Sequence, residues 1–248
     1  MAEAVPTGST PANIEAVIFD WGGTLTPWKT IDAEAEWATL ARLAAPERAE
    51  EAAAALSAAA TAVWTRSRDE HTSATLEDVC SLAGVPFDEE HFADYRDFWE
   101  HATYTDGDVL PLFSQLKVEG LKVGVLSNTI WPREWHESYF RRDGVLEMLD
   151  GAVYTSEIPW TKPSPQAFQA AVEAVGLTDP ASCVYVGDRL FDDIWGAKNA
   201  GMRAIHVPHS DIPRVQVGHS EGEPDAVAER LAHVHDIVAA WRSGEKAD

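Results

Sequence analysis

The chain has little cysteine and no long apolar segment. Its two cysteines, Cys80 and Cys183, lie far apart, so they offer neither a disulfide framework nor the spacing of a metal site. No apolar run approaches the ~18 residues of a membrane-spanning helix. Residues 1–13 lack the basic segment and apolar core of a signal peptide. We therefore expect reduced thiols, a cytoplasmic location and no membrane partner.

Basic residues are also scarce. Lys and Arg together number 19 against 41 Asp and Glu, which gives a formal net charge of −22. Binding to nucleic acid requires basic patches, so the composition predicts no nucleic-acid partner. An anionic substrate would have to be attracted by a local cation or a bound metal, because the overall charge would repel it.

The order of apolar and amphipathic segments predicts an α/β fold. Short Val-rich runs without clean alternation are typical of parallel strands covered on both faces. Such runs lie at 14–20, 121–126, 152–155, 183–186 and 204–207. Helical patterns lie at 108–119, 133–142, 164–175, 190–200 and 225–241. This alternation predicts a doubly wound parallel sheet.

One interval between predicted strands is too long for a simple crossover. A βαβ unit needs only ~30 residues, and the stretch 30–105 alone exceeds that length. It lacks strand signals, and Phe92, Tyr95 and Trp99 recur in it at helical spacing. The predicted organisation is an α/β core over 14–29 and 106–242, an inserted α-helical cap over 30–105, and flexible tails over 1–13 and 243–248.

Chemically reactive side chains follow four of the predicted strands. Ligands of open α/β sheets bind beyond the carboxyl ends of the strands, so residues at these positions should share one site. They are Asp20, then Ser127 and Asn128, then Lys162, and finally Asp188 with Asp192 and Asp193.

These side chains suit chemistry on a phosphate group. Asp20 can act as a nucleophile and form an aspartyl-phosphate. Ser127 can donate its hydroxyl to a phosphoryl oxygen, and Lys162 can neutralise the phosphoryl charge. We assign Asp20, Ser127 and Lys162 catalytic roles. Substrate binding is assigned to Ser127, Lys162, Asn128 and Gly23.

A magnesium site is predicted at the same strand ends. Mg²⁺ prefers hard oxygen ligands. The glycines at 22 and 23 permit a sharp turn that brings backbone N–H and C=O groups toward phosphate and metal. The expected ligands are Asp20, Asp188, the Gly22 carbonyl, and Asp193 or Asp192, directly or through water.

Four segments, in chain order, resemble the motifs of the haloacid dehalogenase-like (HAD) hydrolase superfamily. They are FDWGGTLT, LSNT, TKPSPQAF and VGDRLFDDIWGAKNAGM, within roughly residues 14–240. The resemblance implies a Rossmann-like core and a helical cap that follows the first motif and selects the substrate. It also implies an Mg²⁺-dependent phosphatase of a small phosphorylated metabolite. The oligomeric state is left open.

The chain departs from this resemblance at Gly22. Phosphatases of the superfamily usually carry there a second aspartate, which protonates the leaving group and then activates water. A positioned acid/base contributes ~10²–10⁴ in rate, so we expect weak activity or substrates whose leaving groups need little protonation, such as aryl or acyl phosphates. Other sources of the acid would be the predicted cap residues Arg66, Arg68, His71 and His101.

Three alternatives remain open. A phosphonatase-like enzyme would use a cap lysine, and the chain has none between residues 30 and 116. A 2-haloacid dehalogenase-like enzyme would also lack the second aspartate, but it acts without metal and does not usually keep the acidic fourth motif. A phosphate- and metal-binding protein with little or no turnover would also fit Gly22.

Several tryptophans lie beside the motif loops. They either form walls of the cleft that stack on a substrate, or pack the insert against the core. The residues concerned are Trp21, Trp28, Trp131 and Trp160.

Overall fold

The computed structural model describes residues 12–29, 32–208 and 221–245. These residues form a six-stranded sheet of order β3-β2-β1-β4-β5-β6 in which all neighbouring strands are parallel. The prediction of an α/β, Rossmann-like fold is therefore confirmed. The strands are β1 Ala16–Phe19, β2 Lys122–Ser127, β3 Gly151–Tyr154, β4 Cys183–Gly187, β5 Arg203–His206 and β6 Ala226–Val227.

Helices flank the sheet and also fill the long interval after β1. The helices before β2 are α1 Ala33–Ala44, α2 Ala49–Glu70, α3 Leu76–Ala83, α4 Glu89–Trp99 and α5 Val109–Val118. Those after β2 are α6 Arg133–Arg142, α7 Pro165–Ala174, α8 Gly196–Asn199 and α9 His233–Ser243. A π-helical turn, Leu190–Trp195, leads into α8.

The central strands are apolar on both faces because both faces are covered. All four side chains of β1 are buried, and they alternate between two apolar clusters. Val17 and Phe19 face one cluster, whereas Ile18 faces the other, which includes Phe168 of α7. The polar residue that ends this buried run, Asp20, therefore lies at the edge of a rigid sheet.

Helices α1 to α4, here called the helical insert, occupy the strandless region expected from the sequence. Helix α2 buries Leu56 and Val63 on one face, and α3 begins with a capping box between Thr75 and Asp78. The insert shares an apolar cluster with the core: the rings of Tyr95 and Trp135 lie 5.9 Å apart. The domain boundaries at 30 and 105 stay predictions.

The structure corrects the predicted helix at 225–241. Ala226–Val227 forms β6, and α9 begins only at His233. The Asp225 carboxylate accepts from the Ala204 amide, and the Ala228 amide donates to the His206 carbonyl, both at 2.8–2.9 Å. Pairing with the free edge of β5 therefore competes successfully with helix formation.

The predicted tails lie mostly outside the described residues. At their inner ends, the Ala12 amide donates to the Trp241 carbonyl at 2.9 Å, and α9 continues to Ser243. None of the described helices combines the length and the apolar character needed to cross a bilayer.

Candidate active site

The C-terminal edge of the sheet brings together four of the predicted site residues. Asp20 directly follows β1, Asp188 directly follows β4, and Asp193 lies in the π-helical turn. Lys162 reaches them from the loop after β3. Ser127, the last residue of β2, is buried beside this group of strand ends.

Lys162 is held between two carboxylates. Its Nζ donates to Asp20 Oδ1 and to Asp193 Oδ1, both at 2.6 Å, and to the Tyr185 hydroxyl at 3.0 Å. Burial alone would lower the pKa of Lys162, but Asp193 and Asp20 raise it well above its ordinary value. The ammonium group therefore stays charged although it is 4% exposed.

Three aspartates form a compact acidic group. One carboxylate oxygen from each of Asp20, Asp188 and Asp193 lies within 4.8 Å of the other two. Burial raises the pKa of Asp20 to about 6, against the effect of Lys162. Burial, together with Asp193 and Asp20, also raises the pKa of Asp188 well above its usual range.

Asp188 makes this acidic group suitable for binding a cation. Both of its carboxylate oxygens are buried and lack a hydrogen-bond partner among the described residues. A buried, unpaired carboxylate is costly unless it is protonated or bound to a cation. Three hard oxygen donors are what Mg²⁺ prefers. The residues present thus fit the predicted metal.

The structure separates the two adjacent aspartates of the fourth motif. Asp193 belongs to the acidic group, and its second oxygen accepts from the Arg189 amide at 2.9 Å. Asp192 lies outside this group, and one of its carboxylate oxygens is 4.0 Å from the Arg189 guanidinium. Between the alternatives left open by the sequence, the geometry favours Asp193.

Two glycines make room for the acidic group. A Cβ added to Gly23, whose φ is +91°, would lie 2.3 Å from Asp188 Oδ2. A Cβ on Gly187 would lie 2.4 Å from the side chain of Asp193. By contrast, a Cβ on Gly22 would have no neighbour within 4 Å among the residues that the structure describes. Glycine is therefore required by packing at 23 and 187 but not at 22.

Gly23 has two visible roles in the turn after β1. Its amide donates to the Thr26 carbonyl at 2.8 Å. Its lack of a Cβ lets Asp188 approach the backbone. The substrate contact predicted for Gly23 stays a prediction.

Two of the four tryptophans beside the motif loops pack the interior. Trp21 and Trp131 are buried, and Trp21 meets the ring of His136 edge-on at 4.6 Å. Trp28 is half-buried and Trp160 is exposed. Packing therefore accounts for the first pair, whereas the second pair remains available at the surface.

The lysine nearest to the insert is already engaged. Lys29 Nζ donates to the His101 carbonyl at 2.6 Å. Arg68 pairs with its neighbour Asp69, and Arg66 is exposed. Among the residues that sequence reasoning named as substitute acids, His71 alone is tied to the Lys162 loop, through its backbone.

Sequence reasoning missed Tyr185. Its hydroxyl accepts from Lys162 and donates to the Leu126 carbonyl at 3.1 Å. A tyrosine within the apolar run of β4 looks like ordinary core. The only available signal was that a buried phenol requires a polar partner.

Residues 14–201 match the family model of haloacid dehalogenase-like hydrolases, and the chain belongs to that family. The recognition made from the four motifs is thereby confirmed. The chain is a member of a hydrolase family, as predicted.

Curated relatives cover part of the chain. Glyceraldehyde 3-phosphate phosphatase of Methanopyrus kandleri is 30% identical over 131 residues, 53% of this chain and 55% of that protein. The enzyme of the same name from Methanothermobacter thermautotrophicus is 35% identical over 125 residues, 50% of this chain and 54% of that protein. The chain thus spans about half the length of the curated relatives it matches.

Solved structures share the fold over nearly the whole chain. A HAD phosphatase from Thermococcus onnurineus has a TM-score of 0.64 at 22% identity, covering 94% of this chain and 100% of that one. L-2-haloacid dehalogenase from Xanthobacter autotrophicus has a TM-score of 0.59 at 20% identity, covering 91% and 98%. Because a phosphatase and a dehalogenase share the fold, the activity must be argued from the site.

Proposed function

We propose that this protein is an Mg²⁺-dependent phosphatase of a small phosphorylated metabolite. One observation carries the proposal: the Asp188 carboxylate, which has no hydrogen-bond partner within 12–29, 32–208 and 221–245, lies in the same acidic group as Asp20 and Asp193. A dehalogenase that acts without metal has no need for a third buried carboxylate at this position. The names of the curated relatives support a phosphatase as well.

Asp20 is the proposed nucleophile. A carboxylate oxygen forms a bond to phosphorus while the bond to the leaving oxygen breaks, which gives an aspartyl-phosphate. Water then attacks phosphorus and releases phosphate and the Asp20 carboxylate. Lys162 keeps Asp20 oriented and offsets the phosphoryl charge, and Ser127 donates its hydroxyl to a phosphoryl oxygen.

The proposed metal ligands are Asp20, Asp188, Asp193 and the carbonyl oxygen of Gly22. When bound, Mg²⁺ would supply positive charge next to the phosphoryl oxygens. Binding would also relieve the electrostatic cost of three carboxylates within 4.8 Å of one another.

The substrate class is proposed from the relatives and from Gly22 together. The relatives' names point to a small sugar phosphate with an alkyl leaving group. Gly22 provides no acid for such a leaving group, so aryl and acyl phosphates should react faster unless another residue supplies the proton.

A substrate panel tests the function. Wild-type protein would be assayed with 4-nitrophenyl phosphate, acetyl phosphate and glyceraldehyde 3-phosphate, with Mg²⁺ or with EDTA, and with 2-chloropropionate as the control. We expect phosphate release only with Mg²⁺, and none from Asp20→Asn. Chloride release without metal would support a dehalogenase, and binding of Mg²⁺ and phosphate without turnover would support a binding protein.

A further inference from the structure

His71 lies where the helical insert meets the loop that carries Lys162. Its carbonyl accepts from the Thr161 amide at 2.9 Å, one residue before Lys162. Thr72 forms an antiparallel bridge with Trp160. Residues 71–73 thus run beside 159–161 as a short two-stranded ribbon, which fixes His71 relative to the site loop.

The backbone at His71 adopts an unfavourable conformation. Its φ is 55°, and it is the sole non-glycine with positive φ in the described ranges. It ends α2 in the left-handed conformation, a position usually taken by glycine or asparagine. Such outliers cluster at functional sites because the surrounding structure must maintain them. Helix termination alone would be better served by glycine.

The imidazole ring is poorly satisfied by its surroundings. Its Nδ1 atom is buried and has no hydrogen-bond partner within the described part of the chain. The ring belongs to the residue that joins the end of α2 to the ribbon beside the Lys162 loop. An imidazole with an unused ring nitrogen therefore lies where the insert meets the loop that carries Lys162.

We propose that His71 is the general acid and base of the reaction, in place of the aspartate that is absent at Gly22. This inference rests on the proposed phosphatase function. Nothing in the described part of the chain lies within 4 Å of a Cβ added to Gly22, which leaves room for a proton donor that approaches from the insert.

The imidazole ring of His71 can carry out both proton transfers of the reaction. The protonated imidazole of His71 donates its proton to the leaving oxygen as the phosphorus bond to Asp20 forms. The neutral ring then accepts a proton from the water that attacks the aspartyl-phosphate. Phosphate and the Asp20 carboxylate are released, and His71 is again protonated.

The test is the dependence of rate on the leaving group, measured with Mg²⁺ for wild type and His71→Asn. Asparagine is tolerated in the left-handed conformation, so the variant should keep its melting temperature. We expect kcat/KM for glycerol phosphate to fall about 10²-fold. The value for 4-nitrophenyl phosphate, whose leaving group needs no proton, should change by only a few fold. An unchanged ratio between the two esters would overturn the proposal.

A matched variant separates chemistry from packing. Ser67→Ala removes the Ser67 Oγ to Thr161 Oγ1 hydrogen bond of 3.1 Å beside the same ribbon but keeps the imidazole. It should leave the ratio of the two esters as in wild type. If Ser67→Ala alters the ratio as much as His71→Asn, His71 acts through packing and the proposal fails.

The outcomes also distinguish this inference from the proposed function. Mg²⁺-dependent hydrolysis of 4-nitrophenyl phosphate with an unaltered ester ratio in His71→Asn overturns the role of His71 alone. Absence of turnover by wild type on every ester overturns both. Restoration of glycerol phosphate hydrolysis when Gly22→Asp is added to His71→Asn would support the proposal, because the new carboxyl would supply the missing proton transfer.

Discussion

Asn128 and Lys162 bind each other through two reciprocal hydrogen bonds. Asn128 Nδ2 donates to the Lys162 carbonyl at 3.1 Å, and the Lys162 amide donates to Asn128 Oδ1 at 2.8 Å. The end of β2 is thereby joined to the loop after β3, and the lysine side chain leaves this junction toward Asp20. The substrate contact predicted for Asn128 stays a prediction, but its positioning role is visible in these bonds.

Replacing Asn128 should impair turnover more than binding. In Asn128→Ala both hydrogen bonds are lost and the Lys162 ammonium is no longer fixed against Asp20. A small misplacement of a catalytic group slows the chemical step strongly. We therefore expect kcat to fall by about 10- to 100-fold, with a smaller change in KM. Asn128→Asp, which keeps the acceptor for the Lys162 amide, should lose less. Wild-type kcat in Asn128→Ala, measured with 4-nitrophenyl phosphate, would contradict the role.

Gly22→Asp should restore activity on alkyl phosphates to His71→Asn. No atom of the described residues lies within 4 Å of an added Cβ, so the side chain can be accommodated. In the His71→Asn background the new carboxyl group would protonate the leaving oxygen, so kcat/KM for glycerol phosphate should rise by at least about 10-fold; in wild type, where His71 already donates the proton, it should change by only a few fold. Gly22→Ala is the matched control and should give no gain. An equal gain in both variants would show that the effect is not acid catalysis.

Gly23→Ala should damage the acidic group. The added Cβ would lie 2.3 Å from Asp188 Oδ2, and φ at this position is +91°. Gly84→Ala is a suitable control, because φ there is +63° but no atom of the described chain lies within 4 Å of the added Cβ. We expect both variants to lose about 1 kcal/mol from the left-handed backbone. Only Gly23→Ala should lose Mg²⁺ binding by calorimetry, and retention of wild-type affinity there would contradict the close approach.

Asp188→Asn should separate stability from metal binding. In EDTA the variant removes a carboxyl group that has no hydrogen-bond partner among the described residues and that is costly to bury, whether charged or protonated, so its melting temperature should exceed that of wild type by a few degrees. With Mg²⁺ the wild-type protein should gain stability by mass action, and the variant should gain none. Asp192→Asn, outside the acidic group, should keep the Mg²⁺ response. An equal Mg²⁺ response in Asp188→Asn would remove Asp188 from the metal site.

The strand-end residues could be predicted because their positions follow from topology. Asp20, Lys162 and Asp188 lie after apolar runs, and parallel strands place their carboxyl ends at one edge of the sheet. The choice between Asp192 and Asp193 could not be made in this way. It depends on the π-helical turn at Leu190–Trp195, where the sequence pattern indicates only a helix.

Other features depend on contacts between distant segments. β6 has two residues, too few for any periodicity, and it exists because β5 offers a free edge. The left-handed conformation of His71 depends on the ribbon with residues 159–161. The burial of Trp21 depends on packing against His136 and Trp131. None of these has a local signature.

A buried acid in the helical insert should make stability depend on pH. Glu36 is 9% exposed and accepts from the Tyr95 hydroxyl. Burial raises the pKa of Glu36 from 4.5 to about 7, although the Tyr95 hydrogen bond opposes the rise. The folded protein thus binds a proton that the unfolded chain has released between these two values. Stability from this group is therefore complete below pH 4.5 and is lost as the pH rises to about 7.

Glu36→Gln should remove this dependence. A pKa shift of this size corresponds to about 3 kcal/mol, so the variant should be more stable than wild type by up to that amount at about pH 8 and nearly equal near pH 4.5. The measurement is urea unfolding followed by circular dichroism across this range, taken as the difference between the two proteins so that other titrating groups cancel. Glu34→Gln, at an exposed position on the same helix, should show no such trend. A Glu36→Gln difference that stays constant with pH would mean that Glu36 is ionised in the folded protein throughout.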